Sequence, residues 1–153
     1  MKPTTQVHAA EGRQELTITR DFDLPLDRLF RAFEDPDIVA RWMGTKVVKL
    51  ENRRHGGWEY ETSGPNGQVV FRAHGVIHDF VPNERITRTF EMDNNSFPPQ
   101  LEFLEFSSLS EHTSHLRMHI VFKSVADRNQ LVQLPFARGL GIAHDRLQRI
   151  MTE

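Results

Sequence analysis

Apolar and polar residues alternate with a period of two in seven segments of the chain, a pattern typical of β-strands that bury one face. In the first segment, Leu16 and Ile18 alternate with threonines. Turn-forming residues such as Gly56-Gly57 separate the segments, which favours hairpins and therefore antiparallel pairing. The predicted strands span residues 14–22, 46–51, 58–62, 68–80, 84–92, 101–107 and 114–122.

Two short helices are predicted between the first and second strands. Leu29 and Phe33 belong to a helically spaced set of apolar residues that predicts a helix over residues 25–34. Asp35 follows it and is expected to accept backbone hydrogen bonds as the N-cap of a second helix over residues 37–42. These two helices are the only ones that the pattern predicts between strands of the sheet.

A long amphipathic helix is predicted at the C-terminal end, where apolar residues recur every three or four positions and share one helical face. These residues are Phe136, Leu140, Ala143, Leu147 and Ile150. Arg138, Asp145 and Arg149 fall elsewhere on the helix and are expected to face water. Pro135 leaves two alternatives open, a kink within a longer helix or a main helix that begins there. The fold class is therefore α+β, with a seven-stranded curved antiparallel sheet around a long helix.

Length and composition narrow the class of protein. The 153 residues suit one domain over residues 14–153, preceded by a polar segment, residues 1–13, that is expected to be a flexible tail. The net charge of −2 is not that of a nucleic-acid-binding or membrane-surface protein. The chain has no cysteine, which suits a reducing compartment, and a cytoplasmic location is the default expectation.

Several short motifs recur in the order of a known family. They include Ala40-Arg-Trp42, Gly56-Gly-Trp58-Glu-Tyr60, Gly64-Pro-Asn-Gly67, Pro82-Asn-Glu-Arg85-Ile86 and Gly141-Ile-Ala-His-Asp-Arg-Leu147. With these motifs the chain resembles the START-like superfamily, and within it the proteins related to the C-terminal domain of the heat-shock protein 90 ATPase activator. The resemblance implies a helix-grip fold and leaves a chaperone partner as an open possibility. Ile142 stands where the family usually has a tryptophan.

A ligand pocket is expected because one helix cannot fill the whole concave face of a strongly curved sheet. The gap should have a volume of about 300 Å³ or more if it holds a small organic ligand. The side chains predicted to surround it are Trp42, Trp58, Tyr60, Phe90, Phe103, Met118, Ile120, Phe122, Phe136 and Leu140. The expected partner is a small apolar or amphipathic molecule.

His74 and His119 are the candidate catalytic residues, because an imidazole titrates near neutral pH. A metal site is not predicted, since residues four apart on a strand, such as His74 and His78, lie ~13 Å from each other. No cofactor is predicted either, because phosphate-binding and dinucleotide-binding glycine motifs are missing from the sequence. Further polar residues that could reach the interior are Tyr60, His78, Asp79, Arg88, Glu102 and Glu105.

Three functions remain open at this point. The leading hypothesis is a module that binds a small hydrophobic or amphipathic ligand without covalent chemistry. The second is a cofactor-independent enzyme, of cyclase, hydratase or hydrolase type, that uses the same cavity. The third is a chaperone-activating interaction module, which would need an exposed apolar patch of several hundred Å². Histidine or carboxylate residues that face the cavity and converge on one point with shifted pKa values would favour the enzyme.

Overall fold

The computed structural model of the protein describes residues 3–93 and 97–153. It contains eight strands and four helices in these residues. The strands are β1 (Gln6–His8), β2 (Glu15–Phe22), β3 (Lys46–Leu50), β4 (Gly57–Ser63), β5 (Val69–Val81), β6 (Arg85–Met92), β7 (Gln100–Ser108) and β8 (Ser114–Val121). The helices are α1 (Leu26–Glu34), α2 (Pro36–Met43), α3 (Val125–Val132) and α4 (Phe136–Thr152).

The strands form one antiparallel sheet in the order β1-β2-β8-β7-β6-β5-β4-β3. The predicted helix-grip architecture is confirmed, with eight strands in place of seven. The additional strand, β1, lies in the segment that was expected to be a flexible tail and places Val7 opposite Ile18 of β2. Three residues are too few for a period-two pattern to stand out in a sequence, so only the pairing with β2 identifies this strand.

The two short helices begin and end where the sequence provides caps. The Asp35 carboxylate accepts hydrogen bonds from the backbone N–H groups of Asp37 (2.9 Å) and Ile38 (3.3 Å) at the start of α2. At its end, Gly44 adopts a left-handed conformation with φ of 66°, which glycine reaches without steric cost. These caps fix the position of Trp42 in the last turn of α2.

The C-terminal region resolves the alternatives at Pro135. This residue separates α3 from α4, so the main helix begins immediately after it at Phe136. Leu147 is completely buried in α4, and Met151 lies one turn further along the same face. Arg138, Asp145 and Arg149 are exposed.

The buried side chains form two hydrophobic clusters. The larger cluster joins β2, β6, β7 and β8 to α1, α2 and α4, and Leu16, Phe30 and Leu147 are among its members. The smaller cluster lies against β4 and β5 and centres on Trp58 and Tyr60.

Candidate functional site

An apolar cleft of about 190 Å³ lies between α4 and the strands β4, β5 and β6. It is smaller than the volume of about 300 Å³ that the sequence interpretation required. Its walls are Trp42, Met43, Thr45, Tyr60, Thr62, Phe71, Ala73, Arg88, Phe90, Leu140 and Ala143. The cleft therefore suits a small aromatic ring or a short alkyl chain.

Trp42 forms a fixed wall of the cleft. Its indole Nε1–H donates to the backbone carbonyl of Ala32 at 2.7 Å, and its own carbonyl accepts from the Arg146 guanidinium of α4 at 3.0 Å. Its ring also packs against Phe33 with a centroid distance of 5.1 Å. Because both the backbone and the side chain of Trp42 are held, this wall of the cleft has a fixed position.

A buried ion pair adjoins the cleft, because Arg88 lies in its wall and Glu102 is the partner of Arg88. Arg88 Nε donates to Glu102 Oε1 at 3.0 Å, and the Glu102 side chain is only 5% exposed. The other carboxylate oxygen, Oε2, accepts from Gln100 Nε2 at 3.0 Å. The Arg88 guanidinium also lies over the ring of Trp58, 4.6 Å from its centroid, in cation–π geometry. Arg88 is therefore held from two sides.

Tyr60 completes this polar group. Burial raises the pKa of the Tyr60 hydroxyl, and the nearby Arg88 guanidinium only partly opposes that rise. Burial acts to lower the pKa of Arg88, but the charge of Glu102 and the hydrogen bonds to Glu102 and Tyr60 outweigh it, so the net shift is upward. At neutral pH the cleft thus meets a protonated phenol and a charged guanidinium.

Four of the ten predicted pocket residues line the cleft: Trp42, Tyr60, Phe90 and Leu140. Trp58 lies directly behind this wall, where its ring packs on Tyr60 and Phe90 at centroid distances of 4.9 and 5.6 Å. Its neighbour on β5 is Gly75, where a Cβ atom would come within 2.8 Å of the indole nitrogen.

The other five predicted pocket residues lie outside the cleft. Met118, Ile120 and Phe122 are buried in the larger cluster, and Phe136 packs at its margin. Phe103 lies on the opposite face of the sheet, where its ring stacks on His119 with a centroid distance of 5.7 Å. In β7 the alternating burial points Glu102 and Leu104 inward and Phe103 outward.

The two candidate catalytic histidines do not line the cleft. His74 Nε2 lies 2.9 Å from Asp93 Oδ1 on the outer face of β5. His119 Nε2 lies 3.2 Å from Glu15 Oε2 on the outer face of β8. Asp79 and Glu105 pair with surface arginines, and His78 is exposed. Of the further polar residues considered from the sequence, only Tyr60, Arg88 and Glu102 belong to the interior.

His144 is a buried polar residue that the sequence interpretation did not single out. It lies in α4 with 1% of its surface exposed, and its Nδ1 lies 2.7 Å from Thr5 Oγ1. Its Nε2 has no hydrogen-bond partner among residues 3–93 and 97–153. Burial lowers the pKa of His144 to about 4, the Arg20 charge adds to the effect, and Asp145 opposes it. The imidazole is therefore neutral at physiological pH.

Two further findings concern the described part of the chain. It contains no group of three His, Asp or Glu side chains that could hold a metal ion. None of its helices has the length and apolar character needed to cross a bilayer.

Comparison with known proteins places this geometry in a family. The profile described as "Activator of Hsp90 ATPase homolog 1-like protein" matches residues 23–152. A search of curated proteins found no match. Similar folds occur in solved structures from Mycobacterium smegmatis (TM-score 0.85, 18% identity, 97% of this chain and 96% of that chain covered) and Rhodobacter sphaeroides (0.87, 17%, 97% and 98%). A structure from Chromobacterium violaceum is 23% identical, with a TM-score of 0.74 and coverage of 92% and 98%.

Proposed function

The chain belongs to the Activator of Hsp90 ATPase homolog 1-like protein family, and on that premise we propose that it binds a small, largely apolar molecule in the cleft between its sheet and α4. The observation that carries the proposal is the composition of the cleft walls. Aromatic and aliphatic side chains from α2, β5, β6 and α4 surround a space that the fold leaves unfilled. Apolar cavities of roughly 150 Å³ are known to bind benzene-sized molecules.

The size of the cleft limits the ligand. A volume of about 190 Å³ encloses a ring or a short chain, whereas ligand sites for larger molecules usually measure about 300–1,000 Å³. Phe71 forms part of the wall, and the residues before it in β5, Val69 and Val70, are 43% and 60% exposed. A longer amphipathic molecule would thus extend past apolar side chains at the start of β5.

Binding is favoured over catalysis by the chemistry of the walls. In the described residues, no histidine and no carboxylate lines the cleft, and Glu102, which contacts the wall residue Arg88, is already paired with Arg88 and Gln100. A general acid or base must come within hydrogen-bond reach of its substrate. The titratable wall residues in the described part of the chain are Tyr60 and Arg88, and the pKa of each is shifted upward, away from neutrality, by burial for Tyr60 and by Glu102 and Tyr60, against burial, for Arg88.

The proposal is tested by filling the cleft from α4. Ala143 lies in its wall, so Ala143→Leu adds an isopropyl group to the space that a ligand would occupy. Ala137→Leu makes the same change at an exposed position of the same helix and is the matched control. Butylbenzene is the probe, and binding is followed by tryptophan fluorescence, because Trp42 lies in the wall.

We expect saturable binding of butylbenzene to the wild type and to Ala137→Leu. The affinity of Ala143→Leu should be at least about tenfold lower, because the leucine side chain occupies the space of the probe and a packed interior does not readily accommodate both. Equal binding to both variants would show that the probe binds elsewhere. The proposal would be overturned if the wild type bound neither butylbenzene nor any other apolar probe of this size.

A further inference from the structure

Only a few polar groups line the cleft, and they differ in whether they still have a hydrogen-bond donor available. The wall contains two threonines, Tyr60 and Arg88. The threonine protons are already used, because Thr45 Oγ1 donates to the Glu61 carbonyl at 2.6 Å and Thr62 Oγ1 donates to Thr45 Oγ1 at 3.2 Å. The donors that remain for a ligand therefore belong to Tyr60 and Arg88.

Both of these groups have donors to spare. A guanidinium carries five N–H groups, of which Glu102 accepts one at 3.0 Å and the Tyr60 oxygen interacts with another. That interaction uses a lone pair of the phenol and leaves its own proton available. Arg88 lines the cleft. In the described part of the chain, its Nη1 and Nη2 atoms are not among the buried nitrogen atoms that lack a hydrogen-bond partner, which agrees with exposure of the guanidinium to the cleft.

The charge of Arg88 is already balanced. Its carboxylate partner is buried with it, since the two side chains are 10% and 5% exposed. A second carboxylate, supplied by a ligand, would leave one negative charge in excess in a largely apolar cleft. Buried charges without a partner are strongly destabilising, whereas a neutral acceptor would satisfy the spare donors without adding charge.

We propose, as an inference that rests on the binding function above, that the cleft selects neutral ligands with a hydrogen-bond-accepting oxygen, such as ketones or esters, over carboxylates of the same shape. The acceptor oxygen lies against Tyr60 and Arg88, and the apolar part of the ligand lies against Phe90 and Leu140. Glu102 sets this preference by neutralising the guanidinium. Its role is to position and balance Arg88, and it does not contact the ligand.

Two probes of equal size test the preference directly. The ketone 4-phenyl-2-butanone and the carboxylate 3-phenylpropanoate have the same skeleton and differ where a methyl group replaces an oxygen atom. At pH 7, calorimetric titration of the wild type should give an affinity for the ketone at least about tenfold higher than for the carboxylate. This comparison needs no variant, so it is independent of any effect of mutation on folding.

The role of Glu102 is tested with Glu102→Gln, which keeps the shape of the side chain and removes its charge. The guanidinium then lacks its counter-ion, so the ketone-to-carboxylate affinity ratio should fall by at least about tenfold or reverse. Glu105→Gln makes the same change on the outer face of the same strand, where Glu105 pairs with Arg117. It should leave the ratio at its wild-type value.

The outcomes separate this inference from the binding function. If butylbenzene binds but the wild type prefers the carboxylate or does not discriminate, the inference is overturned and the binding function stands. A wild-type ketone preference that Glu102→Gln leaves unchanged would also overturn it. If neither probe nor butylbenzene binds, both fail.

Discussion

Neutral His144 makes the stability of the fold depend on pH in a defined way. The imidazole packs edge-on against Phe22, with a centroid distance of 5.7 Å, and joins α4 to the N-terminal segment through Thr5. The groups that act on it electrostatically are Arg20 and Asp145, which pair with each other at 2.7 Å. Replacing His144 with Asn removes the titrating group and retains a polar side chain near Thr5.

The sign and size of the effect follow from the two pKa values. Burial lowers the pKa of His144 from 6.5 to about 4, so at intermediate pH the unfolded chain binds more protons than the folded one. The associated stability is fully present above about pH 6.5 and is lost as the pH falls toward 4. Between pH 7 and pH 5 the loss amounts to about 2 kcal/mol for this one group.

Urea unfolding at pH 7 and pH 5 measures this loss. The free energy of unfolding of the wild type should fall by about 2 kcal/mol more than that of His144→Asn over this interval. His112→Asn, at an exposed loop position, is the control and should follow the wild type. If His144→Asn loses as much stability as the wild type, His144 is not held neutral by burial and the reasoning is refuted.

Two further predictions concern the helix face and the strand register. Leu147→Ala should lower the free energy of unfolding by about 2–5 kcal/mol, because Leu147 is fully buried. Arg149→Ala, at an exposed position, should change it by less than about 0.5 kcal/mol. Equal effects of the two substitutions would contradict the assignment of the buried face of α4. In thermal unfolding, Gly75→Ala should destabilise the fold by roughly 1–3 kcal/mol, because the added Cβ atom would lie 1.9 Å from the carbonyl oxygen of Thr89. Gly139→Ala should stabilise the fold by roughly 0.5–1 kcal/mol, because the added Cβ atom would have open space around it and alanine favours the helix. A Gly75→Ala variant as stable as the wild type would contradict the close approach of β5 and β6.

Most of the fold could be predicted because its strands each bury one face. In β8, Leu116, Met118 and Ile120 are buried at every second position, which is the pattern that the sequence displays. The caps of α2 are equally visible in the sequence as Asp35 and Gly44. β1 was missed because its three residues depend on pairing with β2 and have little pattern of their own.

The site was harder to predict because hydrophobicity alone does not assign a strand face. Phe103 was expected inside, but the alternation set by Leu104 and Phe106 places Glu102 on the inner face. The same reasoning applies to Arg88, which lies between the inward-facing Ile86 and Phe90. Alternation with a period of two therefore places Arg88 and Glu102 on the inner face, and both were among the polar residues that the sequence left as able to reach the interior.

The location of the cleft within the core could not be read from the sequence. Met118, Ile120 and Phe122 face inward, but they are buried within the larger cluster and do not line the cleft. The cleft lies beside β4, β5 and β6, where residues from the end of α2 and the first half of α4 form the facing wall. Such a difference depends on how the helices cross the sheet, which is a property of tertiary packing.

The central claim is that a small apolar molecule binds between the sheet and α4, and intermolecular nuclear Overhauser effects test it most directly. Isotope-labelled protein saturated with butylbenzene should show contacts from the probe to the methyl groups of Leu140 and Ala143 and to the ring of Phe90. Contacts confined to the outer face around Phe103 and His119, or none under saturating conditions, would contradict the account.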